Sequence, residues 1–308
     1  MKSIIKTIFS LFIGMSLMSC EDVINLNVPE TEKYLVIEGT ITDAAGEQVI
    51  KLSESQALLS SSTTPRAITN AVVKVTDNTG KVYEFKDLKN EGKYVWSPAS
   101  TTEKMGTIGK TYTLKIEAEG ETFQAVSELK RVPKIDSIVY KYEDSPNLNQ
   151  TGDDKPKEGY DANFYAKDFV GVGDCYRVKV YKNGKLFSGA ENIVIAYDAL
   201  LNKSSVGDGL MFILPLRRAI SPELYAENDK LKVELSSITE AHFDFWTQLR
   251  TELNNSGLFA TPAARIPCNV INVNSSSKKK AAGWFGTSAV TSFEVTIDKN
   301  KAVKEFND

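Results

Sequence analysis

Four aspartates and one histidine are the side chains of this sequence best suited to catalysis. The aspartates all lie in the second half of the chain: Asp168, Asp174, Asp198 and Asp208. Two carboxylates held roughly 5 to 9 Å apart in a cleft could hydrolyse a glycosidic bond. Any Ser-His-Asp triad would need His242, the only histidine, and no nucleophile-elbow motif accompanies it. We therefore predict a protein that is not an enzyme and that carries no metal and no cofactor.

Cys20 offers a different chemistry, because its thiol could accept a lipid. Two lysines precede an apolar stretch over 8–18, and Ser19 stands directly before Cys20. A basic start, a short apolar centre and a small residue before the cleavage point are typical of a secretory signal peptide. A cysteine at that point resembles a bacterial lipobox, in which the thiol receives diacylglycerol and becomes the mature N-terminus. The sequence thus predicts a cleaved signal peptide over 1–19 and lipidation of Cys20.

Two other interpretations of this N-terminus remain open. The chain could be an ordinary secreted protein with a chance cysteine, or the apolar stretch could be a signal-anchor helix. That stretch is shorter than the roughly 20 residues that cross a bilayer, which favours cleavage and lipidation. The expected anchor is then a set of acyl chains on Cys20, such as palmitate, that holds the protein at a membrane. Glu21 and Asp22 follow Cys20 and resemble a surface-export signal of bacterial lipoproteins, which favours the cell surface over the periplasmic face.

Cys175 and Cys268 are the only other cysteines. An oxidising periplasm or cell surface would allow them to form a disulfide. Their spacing says nothing about proximity, so two separately buried thiols are the alternative.

The charge of the chain limits its partners. Its formal net charge is −3, and loss of Lys2 and Lys6 with the signal peptide makes it two units more negative. Phosphate neutralisation requires a basic face, so we expect no nucleic-acid partner. Anionic lipid would not attract this chain either, so we expect the acyl chains to hold it at the membrane.

The first half of the chain reads as a series of short strands. Segments 34–43, 71–76, 112–117 and 122–126 are rich in β-branched and aromatic residues, and Glu119-Gly120 separates the last two as a hairpin turn. Period-two alternation with regular turns is typical of an antiparallel sandwich. We predict a lipidated tether over 20–33 and an immunoglobulin-like or transthyretin-like β-sandwich over 34–133.

The second half, 134–308, is predicted to be β-rich, either barrel-like or a sandwich, with one helix at 239–256. Asn183-Gly184 is its strongest hairpin signal. Ser237 and Glu240 have capping-box spacing before an aromatic stripe that ends near Gly257. Such a stripe usually packs on a sheet, and His242 should lie on or beside it as a packed or rim residue.

A long polar loop is expected over 143–161, with Asp153, Asp154, Glu158 and Asp161 clustered in it. Such side chains could bind calcium, but two lysines lie among them and no EF-hand spacing is present. A solvated acidic loop is the favoured interpretation.

Several short segments together carry a resemblance to a known family. They are Tyr34–Gly39, Ala71–Val73, Gly92–Tyr94, Gly109–Leu114, Phe243–Trp246 and Gly283–Phe285. In this order, behind a lipobox, they resemble the family named domain of unknown function 4249, lipoproteins of Bacteroidota. The resemblance covers essentially the whole chain after the signal peptide. It implies an outer-membrane lipoprotein often encoded near TonB-dependent transporters, and it brings no established catalytic residues.

Three functions follow as hypotheses. The favoured one is a non-enzymatic accessory or binding component of a TonB-dependent transporter, a β-barrel of the outer membrane, or of another surface complex. A surface adhesin or structural lipoprotein is the second. A glycan-acting hydrolase is the third, and it is disfavoured because no reactive constellation accompanies the carboxylates.

Overall fold

A computed structural model of the chain describes residues 32–56, 64–146, 150, 152, 154–255, 257 and 260–306. The signal segment, Cys20 and most of the tether lie outside the described residues. The mainly β prediction is confirmed, with 43% of residues in strands. In chain order the strands are β1 (Tyr34–Thr42), β2 (Gln48–Glu54), β3 (Val72–Asp77), β4 (Val82–Phe85), β5 (Lys93–Trp96), β6 (Thr111–Ala118), β7 (Glu121–Glu128), β8 (Ile135–Glu143), β9 (Gly159–Ala166), β10 (Cys175–Lys182), β11 (Lys185–Leu186), β12 (Val194–Tyr197), β13 (Lys230–Ile238), β14 (Ile271–Asn272), β15 (Lys280–Ser288) and β16 (Val290–Thr296). The α-helices are α1 (Leu214–Arg218) and α2 (Glu240–Leu253).

Two sheets enclose the first hydrophobic core. Their strand orders are β15-β1-β2-β5 and β14-β7-β6-β3-β4. Alternate residues of β6 point inward, and Tyr112, Leu114 and Ile116 are completely buried. The period-two pattern of the sequence therefore marks the faces that pack together, as expected for half-buried antiparallel strands.

The first core also takes strands from far along the chain. β15 pairs with β1 in parallel, with Tyr34 opposite Lys280 and Thr42 opposite Ser288, and β14 pairs with β7. The segments predicted as separate modules, 34–133 and 134–308, thus share strands. Contacts group Lys33 and the residues after it into one compact unit.

The second core lies between a sheet ordered β11-β10-β13-β16, in which β12 also pairs with β10, and the β8–β9 hairpin. The predicted hairpin at Asn183-Gly184 is confirmed. β10 and β11 pair on either side of it, and both turn residues have positive φ, at 51° and 80°. Asparagine and glycine tolerate that backbone region best. Within the described residues, no sheet closes into a barrel.

The helix predicted at 239–256 is α2, but its cap differs from the prediction. Thr239, not Ser237, is the N-cap, and its hydroxyl accepts from the His242 amide at 3.2 Å. Ser237 is still in β13, where its hydroxyl donates to the Lys130 carbonyl at 2.6 Å and accepts from the Ala289 amide at 2.9 Å. The capping-box spacing was misleading because the Ser237 hydroxyl is already hydrogen-bonded to Lys130 and Ala289 and does not cap the helix.

Candidate functional site

The four aspartates considered for hydrolysis lie together beside the start of β10. Two loops, 167–173 and 204–211, run side by side there, and the Asp168 amide donates to the Leu210 carbonyl at 2.8 Å. The Gly171 amide donates to the Asp208 carboxylate at 2.7 Å. The sequence identified the residues, and the fold brings them into one cluster.

Asp168 has both carboxylate oxygens occupied by protein donors. The Tyr176 hydroxyl donates to Oδ1 at 2.6 Å and the Gly209 amide to Oδ2 at 3.2 Å. Burial raises the pKa of Asp168, which is a property that general acids share. Because Oδ1 binds a side chain of β10 and Oδ2 binds the 204–211 loop, this carboxylate joins the 167–173 loop to both.

Asp174 and Asp198 make similar contacts. Arg131 binds Asp174 with an Nη2–Oδ2 distance of 2.6 Å. Asp198 has φ +49°, and its Oδ1 accepts from the amides of Gly173 and Asp174 at 2.9 and 3.0 Å. Burial raises the pKa of Asp198. Buried carboxylates that accept backbone amides in this way fix the shape of a loop.

The two loops present an apolar surface, here called the aliphatic loop patch. Its members are Val170, Val172, Val206, Leu210 and Met211, all exposed. The side chain of Val170 is 82% exposed and that of Val206 74%. Val170 also touches the second loop, because a Cβ at Gly209 would lie 3.1 Å from Val170 Cγ2. Aliphatic side chains clustered in solvent are typical of an interaction surface.

His242 lies inside a second cluster, here called the aromatic cluster. It consists of His242, Phe245 and Trp246 from α2 and Trp284 from β15. The His242 and Trp284 rings stack with centroids 5.2 Å apart and 14° between their planes. His242 is 5% exposed, which confirms it as a packed residue. Burial, with the charge of Arg177 nearby, lowers its pKa to about 3, so the ring is neutral at pH 7.

Arg177 covers the outer side of this cluster. Its guanidinium carbon lies 3.6 Å from the centroid of the Trp246 ring, and burial lowers its pKa to about 10. Three buried nitrogens of the cluster have no hydrogen-bond partner among the described atoms: His242 Nδ1, Trp246 Nε1 and Trp284 Nε1. The cluster is therefore held by ring packing and a cation–π contact.

Cys175 and Cys268 are free thiols in separate environments. Cys175 is buried with Ile195, Ile238 and Phe243, whereas Cys268 packs against the first core. Burial raises the pKa of Cys175 to about 12, so that thiol is unreactive at neutral pH. The two thiols are separate, as in the alternative to a disulfide, but only Cys175 is buried and Cys268 is partly exposed.

The prediction of a solvated acidic loop over 143–161 is wrong for Asp161, because β9 begins at Gly159 and includes it. Asp161 is buried, accepts from Gln150 at 2.9 Å and pairs with Arg218 at 3.0 Å. Asp153 lies outside the described residues. Across 154–255 and the other described ranges, no group of three or more acidic, histidine or cysteine side chains could hold a metal ion. In the same part of the chain, no helix is both long and apolar enough to span a membrane.

Sequence analysis missed the aliphatic loop patch. Val170 and Val172 lie in a glycine-flanked segment between two predicted strands, where they carry no periodicity. The available signal was the presence of aliphatic residues in a loop that should otherwise be polar.

The fold and this surface define a mainly β protein whose antiparallel sheets carry an apolar patch on two loops. The chain belongs to the family described as Domain of unknown function (DUF4249), whose family model matches residues 21–294. A comparison with curated proteins finds no match.

Proposed function

We propose that this protein is a non-catalytic lipoprotein of the outer membrane that binds a partner protein through the aliphatic loop patch. The partner is a β-barrel transporter of the TonB-dependent type or the surface complex around one. The single observation that carries the proposal is the patch, which gathers exposed aliphatic side chains on two loops joined by hydrogen bonds.

The rigidity of the patch supports this role. Asp168 and Asp208 bind the opposite loop through backbone amides, and Asp198 binds the amides that lead into β10. A loop fixed in this way loses little conformational entropy when a partner covers it. The carboxylates of Asp168, Asp198 and Asp208 therefore support this binding surface by holding the loops in one shape.

The N-terminal sequence supports the location. Cys20 follows an apolar stretch and Ser19, and Glu21-Asp22 favours the cell surface. Acyl chains on Cys20 would confine the protein to the membrane plane, which raises its effective concentration at a membrane partner. Family membership supports this location because the resemblance implies a Bacteroidota lipoprotein.

Co-purification from native membranes tests the proposal. A tagged full-length chain should retain a β-barrel protein, and Val172→Asp should lose it because a charge would be buried at the contact. Val126→Asp is a matched control, because Val126 on β7 and Val172 are both 57% exposed. Recovery of no β-barrel protein with the wild-type chain, or equal recovery with both variants, would contradict the proposal.

A further inference from the structure

A second surface lies on the first half of the chain, between β4 and β5. It is a cleft of about 540 Å³, here called the Trp96 cleft, with Leu88, Val95 and Trp96 among its lining residues. This volume is in the range of small-ligand sites. Its residues come from 47–97, whereas the aliphatic loop patch lies on the loops 167–173 and 204–211.

The shape of the cleft is fixed by its own hydrogen bonds. Lys86 and Val95 exchange two backbone hydrogen bonds of 3.0 Å, which join β4 to β5. The turn that follows Lys86 is closed by Asp87, whose carboxylate accepts from the amides of Glu91 and Gly92 at 3.1 and 2.7 Å. The cleft is therefore formed before any ligand binds.

Trp96 supplies an aromatic wall. Its ring meets Tyr83 edge to face, with centroids 5.6 Å apart and 83° between the planes, which holds the indole in place. Trp96 is half-buried, packs on the first core and lines the cleft. Leu88 projects from the neighbouring turn and is 86% exposed. The indole and the leucine together form an apolar surface on which a flat, weakly polar face of a ligand could lie.

The polar rim of the cleft has no net charge. It carries three carboxylates and three ammonium groups: Glu47, Glu84, Glu91, Lys86, Lys89 and Lys93. Glu47 accepts from the Ser97 hydroxyl at 3.0 Å, which orients the carboxylate beside the indole. Such a rim supplies many hydrogen-bond donors and acceptors but favours neither an anionic nor a cationic ligand.

We infer that the Trp96 cleft binds a neutral saccharide. One face of a pyranose ring is lined with C–H groups and would stack on the indole. Its hydroxyl groups would donate to the glutamates and accept from the lysines. The site is independent of the partner contact through the aliphatic loop patch, so either can exist without the other.

Binding to a panel of neutral and acidic glycans tests the inference. The probes are an array of neutral oligosaccharides, including glucans, xylans and mannans, with oligogalacturonates as the charged comparison. The purified full-length chain should bind at least one neutral glycan and bind it better than the acidic set. Trp96→Ala should weaken this binding about tenfold or more, the loss of roughly 1.4 kcal/mol expected for an aromatic contact.

Two further variants keep the test decisive if Trp96→Ala affects folding. Leu88→Ser is at an exposed tip and should weaken binding about threefold, and Glu47→Gln should also weaken it. Val172→Asp, in the aliphatic loop patch, should leave glycan affinity unchanged. Absence of binding to every neutral glycan, or affinity that is the same in Trp96→Ala, Leu88→Ser, Glu47→Gln and the wild type, would overturn the inference.

Discussion

The aromatic cluster and the aliphatic loop patch are both apolar, and both adjoin β10, but only one of them is covered. In the aromatic cluster, α2 and β15 enclose His242 between Trp246 and Trp284. In the patch, hydrogen bonds that backbone amides donate to carboxylates hold the loops together, and Val170 remains in solvent. The difference is that α2 and β15 bury the rings, whereas the aliphatic side chains of the two loops are exposed.

This contrast separates residues that stabilise the fold from residues that can bind. Rings in the aromatic cluster lose contacts with several neighbours when they are changed, which affects the free energy of unfolding. Side chains of the patch contact little in the free protein, so changes there should affect association alone. The following predictions test this separation.

Trp284→Ala should have the largest effect. The indole stacks on His242 and packs on Phe245, and its removal leaves a cavity between β15 and α2. We expect a loss of about 4 kcal/mol in the free energy of unfolding, measured by urea denaturation. Leu88→Ala, an apolar truncation at an exposed site, should change it by less than about 0.5 kcal/mol. Similar losses in the two variants would contradict the view that the aromatic cluster stabilises the fold.

Gly286→Ala should be next. A Cβ at Gly286 would lie 2.7 Å from His242 Cε1 and 2.9 Å from Nδ1, closer than normal contact. We expect about 2 kcal/mol of destabilisation, the usual cost of overpacking. His242→Ala in the same chain should recover part of it, because it removes the clash. Additive effects of the two substitutions in a double-mutant cycle would show that the new methyl group at position 286 does not contact the His242 ring.

Acidification should destabilise the wild-type chain through His242. Its folded pKa of about 3 lies below the ordinary 6.5, so between these values the unfolded chain binds a proton that the folded chain does not. Stability is therefore lost as pH falls from about 6.5 towards about 3, by on the order of 2 kcal/mol at pH 5. His242→Phe keeps a ring in the stack but has no group that titrates. Between pH 7 and pH 5, its free energy of unfolding should therefore fall by about 2 kcal/mol less than that of the wild type. An unchanged pH profile would mean that the histidine is not held neutral.

Val170→Asp should have the smallest effect on stability, within about 0.5 kcal/mol of the wild type, because the side chain lies in solvent. The same variant should no longer associate with its membrane partner. A large drop in the thermal midpoint would show that Val170 supports the fold, and the contrast with Trp284 would then fail.

Local parts of the fold could be predicted from the sequence. Alternation identified β3 and β6, Asn183-Gly184 identified the β10–β11 hairpin, and the aromatic stripe identified α2 with a packed His242. These features depend on residues near one another in the chain, where sterics and hydrophobic periodicity act directly.

Long-range features could not be predicted in this way. The parallel pairing of β1 with β15 joins residues such as Tyr34 and Lys280, and no local pattern specifies it. Trp284 meets His242 only because that pairing brings β15 beneath α2. The loop patch was missed for a similar reason, since its members lie on two separate loops that only the hydrogen bonds of the fold bring together.

Site-specific photo-crosslinking in intact cells reports whether the aliphatic loop patch touches a β-barrel protein. A photoreactive amino acid at position 170 of the full-length chain should form an adduct with an outer-membrane β-barrel protein, identified by mass spectrometry. The same amino acid at position 126, another exposed valine position on β7, should form none. Absence of an adduct at position 170, or the same adducts at both positions, would contradict the proposal that the aliphatic loop patch is the partner-binding surface.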